Sequence, residues 1–384
     1  MSVIQHIDSK LPNVKTTIFT VVGKMAREYN ATNLSQGFPD FSPDPKLIDL
    51  YTQALKGNNN QYAPMTGAMQ LREAIVEKTK KLYGRKYNVE NEITVTAGAT
   101  QAIYTAITAF ISKGDEVIIL KPAYDCYEPA IELVGGVSVL VQLKGKDYKV
   151  DWEEFRSKIT SKTKMVIINT PHNPSGQIFT KGDMLALQES LRDTNIILLS
   201  DEVYEHIVFD GAVHQSAARF DDLAARSIIC SSFGKTFHVT GWKIGYCVGP
   251  TNLMHEFNKT HQFNVFCVNH PGQIALAGYL KDENRYLSLN DFYQQKRDYF
   301  LNAISDSRFK FTPSQGSFFQ LLDYSEITNE NDVALNERLI KDYKLASIPM
   351  SVFNINEKDD NMLRFCFAKT EKTLDKAAEI LNSI

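Results

Sequence analysis

The stretch Ser227-Ile228-Ile229-Cys230-Ser231-Ser232-Phe233-Gly234-Lys235 places a lysine directly behind an apolar run with the length and composition of a buried strand. Taken alone, Lys235 reads as an ordinary solvated surface lysine. At the end of a buried strand, however, an amine is partly desolvated, which lowers its pKa and makes it nucleophilic. The stretch therefore indicates a buried sheet and an amine able to form a Schiff base.

Similar apolar runs alternate with longer amphipathic segments from about residue 92 onward. Most are apolar on both faces, as in strands that are covered by helices on both sides. The pattern predicts an α/β fold with a mostly parallel central sheet and helices on both faces. The predicted strands are 92–96, 116–120, 165–169, 196–200, 227–231 and 244–248, and two predicted helices are 73–83 and 101–111.

The pattern changes after about residue 280. A polar helix around 293–297 is followed by the apolar stretch 317–322, a polar loop at 354–361 and the alternating stretch 362–367. We predict a large domain over residues 45–280 and a smaller α+β domain made of residues 1–44 and 281–384.

The composition argues against several classes of partner. With 384 residues, 43% hydrophobic content, a net charge of -3 and a pI near 6.3, the chain gives no electrostatic reason to expect nucleic acid or a membrane surface as partner. The five cysteines are scattered and lack C-x-x-C spacing, so neither a disulfide framework nor a metal site is predicted. The start of the chain shows no export signal, and no apolar stretch approaches the roughly 20 residues of a membrane span. We predict a cytoplasmic protein that acts on small molecules.

Polar residues follow five of the predicted strands. Ligands of open α/β sheets bind outside the carboxyl ends of the strands, so these residues are predicted to meet in one crevice. Each has an ordinary alternative as a turn, a cap or a core residue. They are residues 98–101, Tyr124, residues 169–173, Asp201 and residues 232–235. The first of these starts a predicted helix and is a candidate anion site.

Asp201 follows the apolar run 196–200, where a helix cap is the ordinary explanation. A buried carboxylate beside a pyridine nitrogen would instead keep that nitrogen protonated, so that the ring accepts electrons. Tyr204 is either a core tyrosine or a donor to the phenolate oxygen of such a ring. Together with Lys235, these groups indicate pyridoxal phosphate (PLP) as cofactor.

Three further residues suit this cofactor. Asn173 lies in a proline-rich turn, whose stiffness would hold its amide against the phenolate oxygen, while His172 is expected to point elsewhere. Tyr124 either packs in the core or stacks on the pyridine face. Lys243 is a candidate for a phosphate ligand, or for the cation that lowers the pKa of Lys235.

Arg364 interrupts the alternation of Leu363, Phe365 and Phe367 and so points away from that apolar face. Such a residue ordinarily faces solvent, but a guanidinium facing a crevice would bind a carboxylate with two hydrogen bonds. Gly37 either permits a turn or allows the backbone to approach a ligand closely.

These motifs together resemble the fold-type I, PLP-dependent aminotransferases of class I over nearly the whole chain. The stretches 61–67, 94–100, 169–175 and 231–246 are most similar to bacterial methionine aminotransferases and the related kynurenine aminotransferases. By that resemblance, Lys235 holds the cofactor covalently and shuttles protons. Asp201 pairs with the ring nitrogen, Asn173 and Tyr204 hold the phenolate oxygen, and Tyr124 covers the ring.

The resemblance also implies a phosphate site and a substrate site. The phosphate ligands would be Ala99, Thr100, Gln101, Ser232 and Lys243, joined by Tyr62 from the other subunit of a homodimer. Gly37 and Arg364, beside Asn173, would hold the α-carboxylate of the substrate. Position 243 is arginine in the aspartate-type branch, so the lysine here keeps the charge without the bidentate geometry.

The substrate follows less directly from these residues. No arginine occurs between Arg226 and Arg285, where the dicarboxylate branch carries a second one, so an apolar or aromatic side chain is expected. Phe19, Phe38 and Tyr62 are candidates for its pocket, and the flexible thioether of methionine suits aromatic walls.

We therefore predict transamination of methionine or aromatic amino acids with a 2-oxo acid acceptor. The alternatives are a kynurenine–oxoglutarate aminotransferase, a PLP-dependent carbon–sulfur β-lyase on the same fold, and a regulatory protein that binds PLP without catalysis.

Overall fold

The computed structural model of the protein describes residues 8–384. Residues 1–7, which open the predicted small domain and bear on the predicted lack of an export signal, lie outside the described residues. Between residues 8 and 384 the strands are β1 (Thr32–Asn33), β2 (Ile93–Thr96), β3 (Glu116–Lys121), β4 (Val137–Gln142), β5 (Thr163–Asn169), β6 (Ile197–Asp201), β7 (Ser227–Ser232), β8 (Gly245–Val248), β9 (Phe319–Asp323), β10 (Leu345–Ala346), β11 (Ile348–Pro349) and β12 (Met362–Cys366).

The α-helices of the same range include both predicted ones, as α3 and α4. They are α1 (Ile18–Glu28), α2 (Pro45–Lys56), α3 (Met69–Tyr83), α4 (Ala99–Phe110), α5 (Tyr127–Leu133), α6 (Trp152–Ser157), α7 (Lys181–Ser190), α8 (Asp221–Ala224), α9 (Phe233–Thr236), α10 (Thr251–Asn264), α11 (His270–Tyr279), α12 (Asn284–Leu287), α13 (Leu289–Ala303), α14 (Asp332–Lys341) and α15 (Glu371–Asn382). None of the helices in this range is long and apolar enough to cross a membrane.

The central sheet has seven strands in the order β2-β8-β7-β6-β5-β3-β4. Its strands pair in parallel except for β8, which runs antiparallel to both neighbours. The predicted α/β class, with a mostly parallel sheet flanked by helices, is confirmed. Parallel strands this deeply buried need apolar residues on both faces, which is the pattern that made β3, β5, β6 and β7 visible in the sequence.

Two features of this sheet were not predicted. The strand β4 lies at the sheet edge, where Val137 is exposed and most other residues are only partly buried, so it lacks the continuous apolar signal of its neighbours. The reversed direction of β8 has a consequence for the site. Because β8 is antiparallel, its first residue, Gly245, lies opposite the last residues of β2 and β7, Thr96 and Ser232.

The register also aligns the carboxyl ends of β5 and β6 with β7 on the same side of the sheet. Asn169 at the end of β5 lies opposite Asp201 at the end of β6, and Asp201 in turn lies opposite Cys230 of β7. Side chains that follow β2, β5, β6 and β7, and those that precede β8, therefore meet at one edge of the sheet.

A second sheet, in the order β11-β12-β9, carries Arg364 in its central strand, and β1 pairs with β10 in a separate parallel ladder. The predicted polar loop at 354–361 contains a short 3-10 helix, Ile355–Glu357. The predicted boundary between the two domains stays a prediction. The buried apolar side chains around the sheets form one continuous cluster.

Candidate active site

A cavity of about 170 Å³ lies where the strand ends of the central sheet meet the first turn of α4. The lining residues include nine that the sequence singled out: Ala99, Thr100, Tyr124, Asn173, Asp201, Tyr204, Ser232, Lys235 and Lys243. They come from separate segments of the chain, and the sheet register is what brings them together.

Lys235 lies in α9, the short helix that directly follows β7. Its ammonium donates a hydrogen bond to the carbonyl oxygen of Gly37 at 2.8 Å, and the rings of Tyr204 and Phe318 lie 5.7 and 5.3 Å from Nζ. Burial lowers the pKa of Lys235 to about 8, and the positive charge of Arg364 acts in the same direction. At neutral to mildly alkaline pH this amine is therefore far closer to its neutral, nucleophilic form than an exposed lysine is.

Asp201 is 3% exposed and ends β6 at the floor of the cavity. The hydroxyl of Tyr127 donates to Oδ2 at 2.6 Å, and the backbone N–H of Val203 donates to Oδ1 at 3.3 Å. Burial nevertheless raises the pKa of Asp201 to about 6, because these donors offset only part of the cost of desolvating a carboxylate. A cationic group placed against Asp201 would favour its ionised form.

Arg364 is 1% exposed and projects from β12 toward the cavity residue Asn173. Nη1 donates to Oδ1 of Asn173 at 2.6 Å, and Nη2 donates to the carbonyl of Ser35 at 3.1 Å. Nε is buried and has no hydrogen-bond partner among residues 8–384. Burial lowers the pKa of Arg364 to about 10. A buried guanidinium with an unused N–H is suited to bind an anion.

The bond from Arg364 also fixes the side-chain amide of Asn173. Because its oxygen accepts from the guanidinium, its NH₂ group is the end available to another acceptor. The backbone N–H of Asn173 donates to Oδ1 of Asn169 at 2.7 Å, and Nδ2 of Asn169 donates to the carbonyl of Asp201 at 2.9 Å. These two bonds tie the loop after β5 to the end of β6.

The opposite end of the cavity is a cradle for an anion. Helix α4 starts after Gly98, whose φ of 78° is left-handed, and no side chain in the described range caps its first turn. The first N–H groups of the helix are therefore free for a ligand. A Cβ at Gly98 would lie 3.3 Å from Nζ of Lys243, so the lysine ammonium is next to this helix terminus. Lys243 reaches it because it lies two residues before Gly245, the first residue of the antiparallel strand β8.

Gln101 differs from its neighbours in this cradle. Its side-chain oxygen accepts from the N–H of Ala97 at 3.0 Å, and its NH₂ group donates to Thr105 and lies 3.2 Å from Nδ1 of His261. Its side chain is therefore engaged within the fold, and only its backbone N–H is available to a ligand in the cradle.

Besides Gln101 and Arg364, described above, four predicted site residues lie outside the cavity lining. Gly37 contacts the site through its carbonyl oxygen, and a Cβ there would lie 2.8 Å from Phe319, so no larger residue fits without movement. Phe19 lies 5.3 Å from the guanidinium of Arg364. Phe38 is half-exposed. Tyr62 is 82% exposed and packs edge-to-face on Phe266, away from the cavity of its own chain.

His172, which was predicted to point elsewhere, is not among the residues that line the cavity, and its Nδ1 lies 2.6 Å from Oγ of Ser175. The role of Tyr127 was not predicted, because a tyrosine at the start of a short helix carries no signal that it reaches a carboxylate on a distant strand.

A buried ionic network behind the cavity was also missed. Glu205, which follows Tyr204, accepts from Lys78 at 2.6 Å, from Ser231 at 2.5 Å and from Tyr246 at 3.0 Å. Burial raises the pKa of Glu205, but Lys78 and the hydrogen bonds outweigh this and hold it well below its ordinary value. The network joins the loop after β6 to β7, β8 and α3.

The cavity fits pyridoxal phosphate. Within residues 8–384 it combines a partly neutral lysine, a buried carboxylate without a salt bridge, an amide whose NH₂ group is available and a helix start without a side-chain cap beside a lysine. These are the groups needed by the aldehyde, the ring nitrogen, the phenolate oxygen and the phosphate.

This fold and this site define a class of protein, the PLP-dependent aminotransferases. The chain belongs to the family described as aminotransferase class I and II, which matches residues 29–381. It is therefore an enzyme that moves an amino group between an amino acid and a 2-oxo acid.

Particular relatives narrow the comparison. The chain is 46% identical over 377 residues to the methionine aminotransferase of Escherichia coli (strain K12), with 98% of each chain covered. It is 33% identical to kynurenine–oxoglutarate transaminase 1 of Rattus norvegicus, covering 97% of this chain and 96% of that one. The crystal structure of YbdL from Escherichia coli, for which a methionine aminotransferase function was identified, has a TM-score of 0.97 at 45% identity and covers 99% of this chain and 100% of that one.

Proposed function

We propose that this enzyme transaminates methionine and aromatic amino acids, with a 2-oxo acid as acceptor. The observation that carries the substrate class is the aromatic surrounding of Arg364. The rings of Phe319, Phe19 and Phe353 lie 4.0, 5.3 and 5.7 Å from its guanidinium. A substrate carboxylate bound there would direct its side chain along aromatic walls, which suit a thioether or an aromatic ring.

The geometry of the cavity supports a set of cofactor roles for its residues. Lys235 would hold pyridoxal phosphate covalently, and Asp201 would face the ring nitrogen. Asn173, through its free NH₂ group, and Tyr204 would donate to the phenolate oxygen, while Tyr124 would lie over the ring. The phosphate would bind at the start of α4, with ligands from Ala99, Thr100, the backbone of Gln101, Ser232 and Lys243.

When bound, pyridoxal phosphate supplies a ring that accepts the electrons released at the substrate α-carbon. Asp201 supports this by stabilising a proton on the ring nitrogen. The amine of Lys235, when free, would take the α-proton of the substrate at Nζ, because burial lowers its pKa to about 8 and so raises the fraction that is neutral. The same Nζ would hold that proton until it is returned.

Substrate orientation would depend on Arg364. Its Nε, which has no partner in the described part of the chain, and the Nη2 beside it form a fork that fits a carboxylate, and the backbone of Gly37 forms the adjoining wall. This would fix the α-carbon near Nζ of Lys235. The absence of any arginine between Arg226 and Arg285 supports a preference against dicarboxylate donors.

We further propose a cytoplasmic homodimer with two domains per chain, as the sequence predicts. Tyr62 and Phe266 pack together as an exposed aromatic patch, and Phe263, three residues before Phe266, is 86% exposed; exposed aromatic side chains of this kind are typical of an interface. Tyr62 in this patch would reach the phosphate of the partner's site. All five cysteines are free, which supports a reducing compartment.

The test is the visible spectrum of the purified holoenzyme before and after each amino acid is added without an oxo acid. L-Methionine, L-phenylalanine and L-kynurenine are expected to bleach the yellow band to the pyridoxamine form, and L-aspartate is the control. Bleaching by aspartate alone would contradict the proposed substrate class. Release of pyruvate and ammonia from cystathionine would instead indicate the β-lyase activity.

A further inference from the structure

The segment of residues 35–38 forms one wall of the site and is held by three cations through its backbone carbonyls. The cations come from different elements: Arg364 from β12, Lys369 from the turn that follows β12, and Lys235 from α9. The bonds are Arg364 to the carbonyl of Ser35 at 3.1 Å, Lys235 to that of Gly37 at 2.8 Å, and Lys369 to that of Phe38 at 2.8 Å.

Lys235 and Arg364 have other roles in the proposed reaction. A covalent link between Lys235 and the cofactor removes the ammonium that donates to the Gly37 carbonyl. A substrate carboxylate draws on the N–H groups of Arg364, one of which holds the carbonyl of Ser35. Lys369 takes no part in the proposed reaction, so its hydrogen bonds to the segment can persist throughout.

The surroundings of Lys369 are those of a fixed anchor. It is 3% exposed, and Nζ also lies 3.5 Å from the carbonyl of Gln36 and 5.0 Å from the centre of the Phe38 ring. Its own carbonyl accepts from Nζ of Lys296 at 2.9 Å, which fixes the backbone from which it projects. Burying an ammonium costs free energy unless its N–H groups are hydrogen-bonded. The Lys369 ammonium and the 35–38 segment therefore hold each other in place.

We propose that Lys369 is a positioning residue for substrate binding. By holding the carbonyls of Gln36 and Phe38, it keeps the 35–38 segment against the site while Lys235 and Arg364 are engaged with cofactor and substrate. The proposal rests on the assignment of Gly37 and Arg364 to the substrate carboxylate. Its predicted signature is therefore a defect in amino-acid binding, with little effect on cofactor or chemistry.

The experiment compares steady-state kinetics of three holoenzyme variants with wild type, varying L-methionine at a saturating oxo acid. Lys369→Met is expected to raise KM for methionine about tenfold or more, since a hydrogen bond to a charged group is lost, while kcat changes less than about threefold. Lys369→Gln, which can still donate to the Phe38 carbonyl, is expected to have a KM for methionine between those of the wild type and Lys369→Met. Lys372→Met makes the same replacement at an exposed lysine three residues further along the chain and is expected to keep the wild-type KM.

The cofactor spectrum and melting temperature of each variant separate positioning from general damage. An unchanged yellow band with a raised KM in the Lys369 variants supports the proposal. A wild-type KM in soluble Lys369→Met overturns it, as does an equal rise in KM in Lys372→Met. Failure of the wild type to bleach with methionine or any aromatic donor would refute the proposed substrate class instead, and that result is obtained before any variant is compared.

Discussion

Replacing Asp201 by asparagine is expected to stabilise the cofactor-free protein while it weakens the holoenzyme. In the folded protein, burial raises the pKa of this carboxyl from 3.8 to about 6. A raised pKa means that the folded state holds its proton over a range in which the unfolded state has released it. The contribution of this group to stability is therefore fully present below about pH 4 and is lost as the pH rises through about 6.

The size of the effect follows from the shift. About two pKa units, at about 1.4 kcal/mol each, correspond to at most about 3 kcal/mol. Asparagine cannot ionise, yet its side-chain oxygen can still accept from the hydroxyl of Tyr127. The variant and the wild type should therefore have similar stability at pH 4, and Asp201→Asn should be more stable by up to about 3 kcal/mol at pH 7 to 8.

The assay is urea unfolding of both cofactor-free proteins between pH 4 and pH 8, with Asp222→Asn as control. Asp222 is exposed, so its replacement makes the same change in net charge without a desolvation effect. Adding PLP should reverse the order of stability at pH 8, because a protonated ring nitrogen would pair with the carboxylate. If Asp201→Asn were no more stable than wild type at pH 8, or if it kept full transaminase turnover, this account of Asp201 would be refuted.

Three further substitutions test other parts of the site. Lys235→Ala is expected to lose the yellow band and all turnover, whereas the wild-type protein should react with PLP faster as pH rises through about 8; a pH-independent rate would contradict the lowered pKa. Arg364→Met is expected to lower kcat/KM for methionine about 100-fold with the band retained, and a loss confined to kcat would contradict its role in binding. Glu205→Gln should destabilise the protein by about 3 to 5 kcal/mol in urea unfolding, since it leaves the buried charge of Lys78 unpaired. Adding Lys78→Met to this variant should recover part of the lost stability; equal stability of the single and the double variant would refute the coupling between the two residues.

The sequence predicted the central sheet well because its signal is local. A strand buried on both faces is a short apolar run, and the chemistry-bearing residues Asn173, Asp201 and Lys235 come just after such runs. The edge strand β4 was missed because its residues are only partly buried. The direction of β8 could not be predicted, since pairing direction depends on connections and not on the composition of a strand.

The parts of the site that were missed depend on contacts between distant segments. Tyr127 and Asp201 lie on different elements, as do Lys369 and the 35–38 segment. The sequence around one member of each pair does not indicate that it contacts the other. For Arg364 the alternation of β12 predicted which face it occupies, but only the tertiary packing of the second sheet decides whether that face meets solvent or a cavity.

The direction of its pKa shift shows whether the charge of a buried group is already compensated within the fold or would be compensated by a ligand. Asp201 and Arg364 are as deeply buried as Glu205, yet burial moves the pKa of each toward its neutral form, because the fold does not fully compensate their charges. Glu205 is moved toward its charged form, because Lys78 is already in place. A cationic ring nitrogen and a substrate carboxylate would supply what Asp201 and Arg364 lack, so part of the free energy of binding comes from relieving the cost of their burial. Glu205, already paired with Lys78, therefore supports the site from behind the residues that would contact cofactor and substrate.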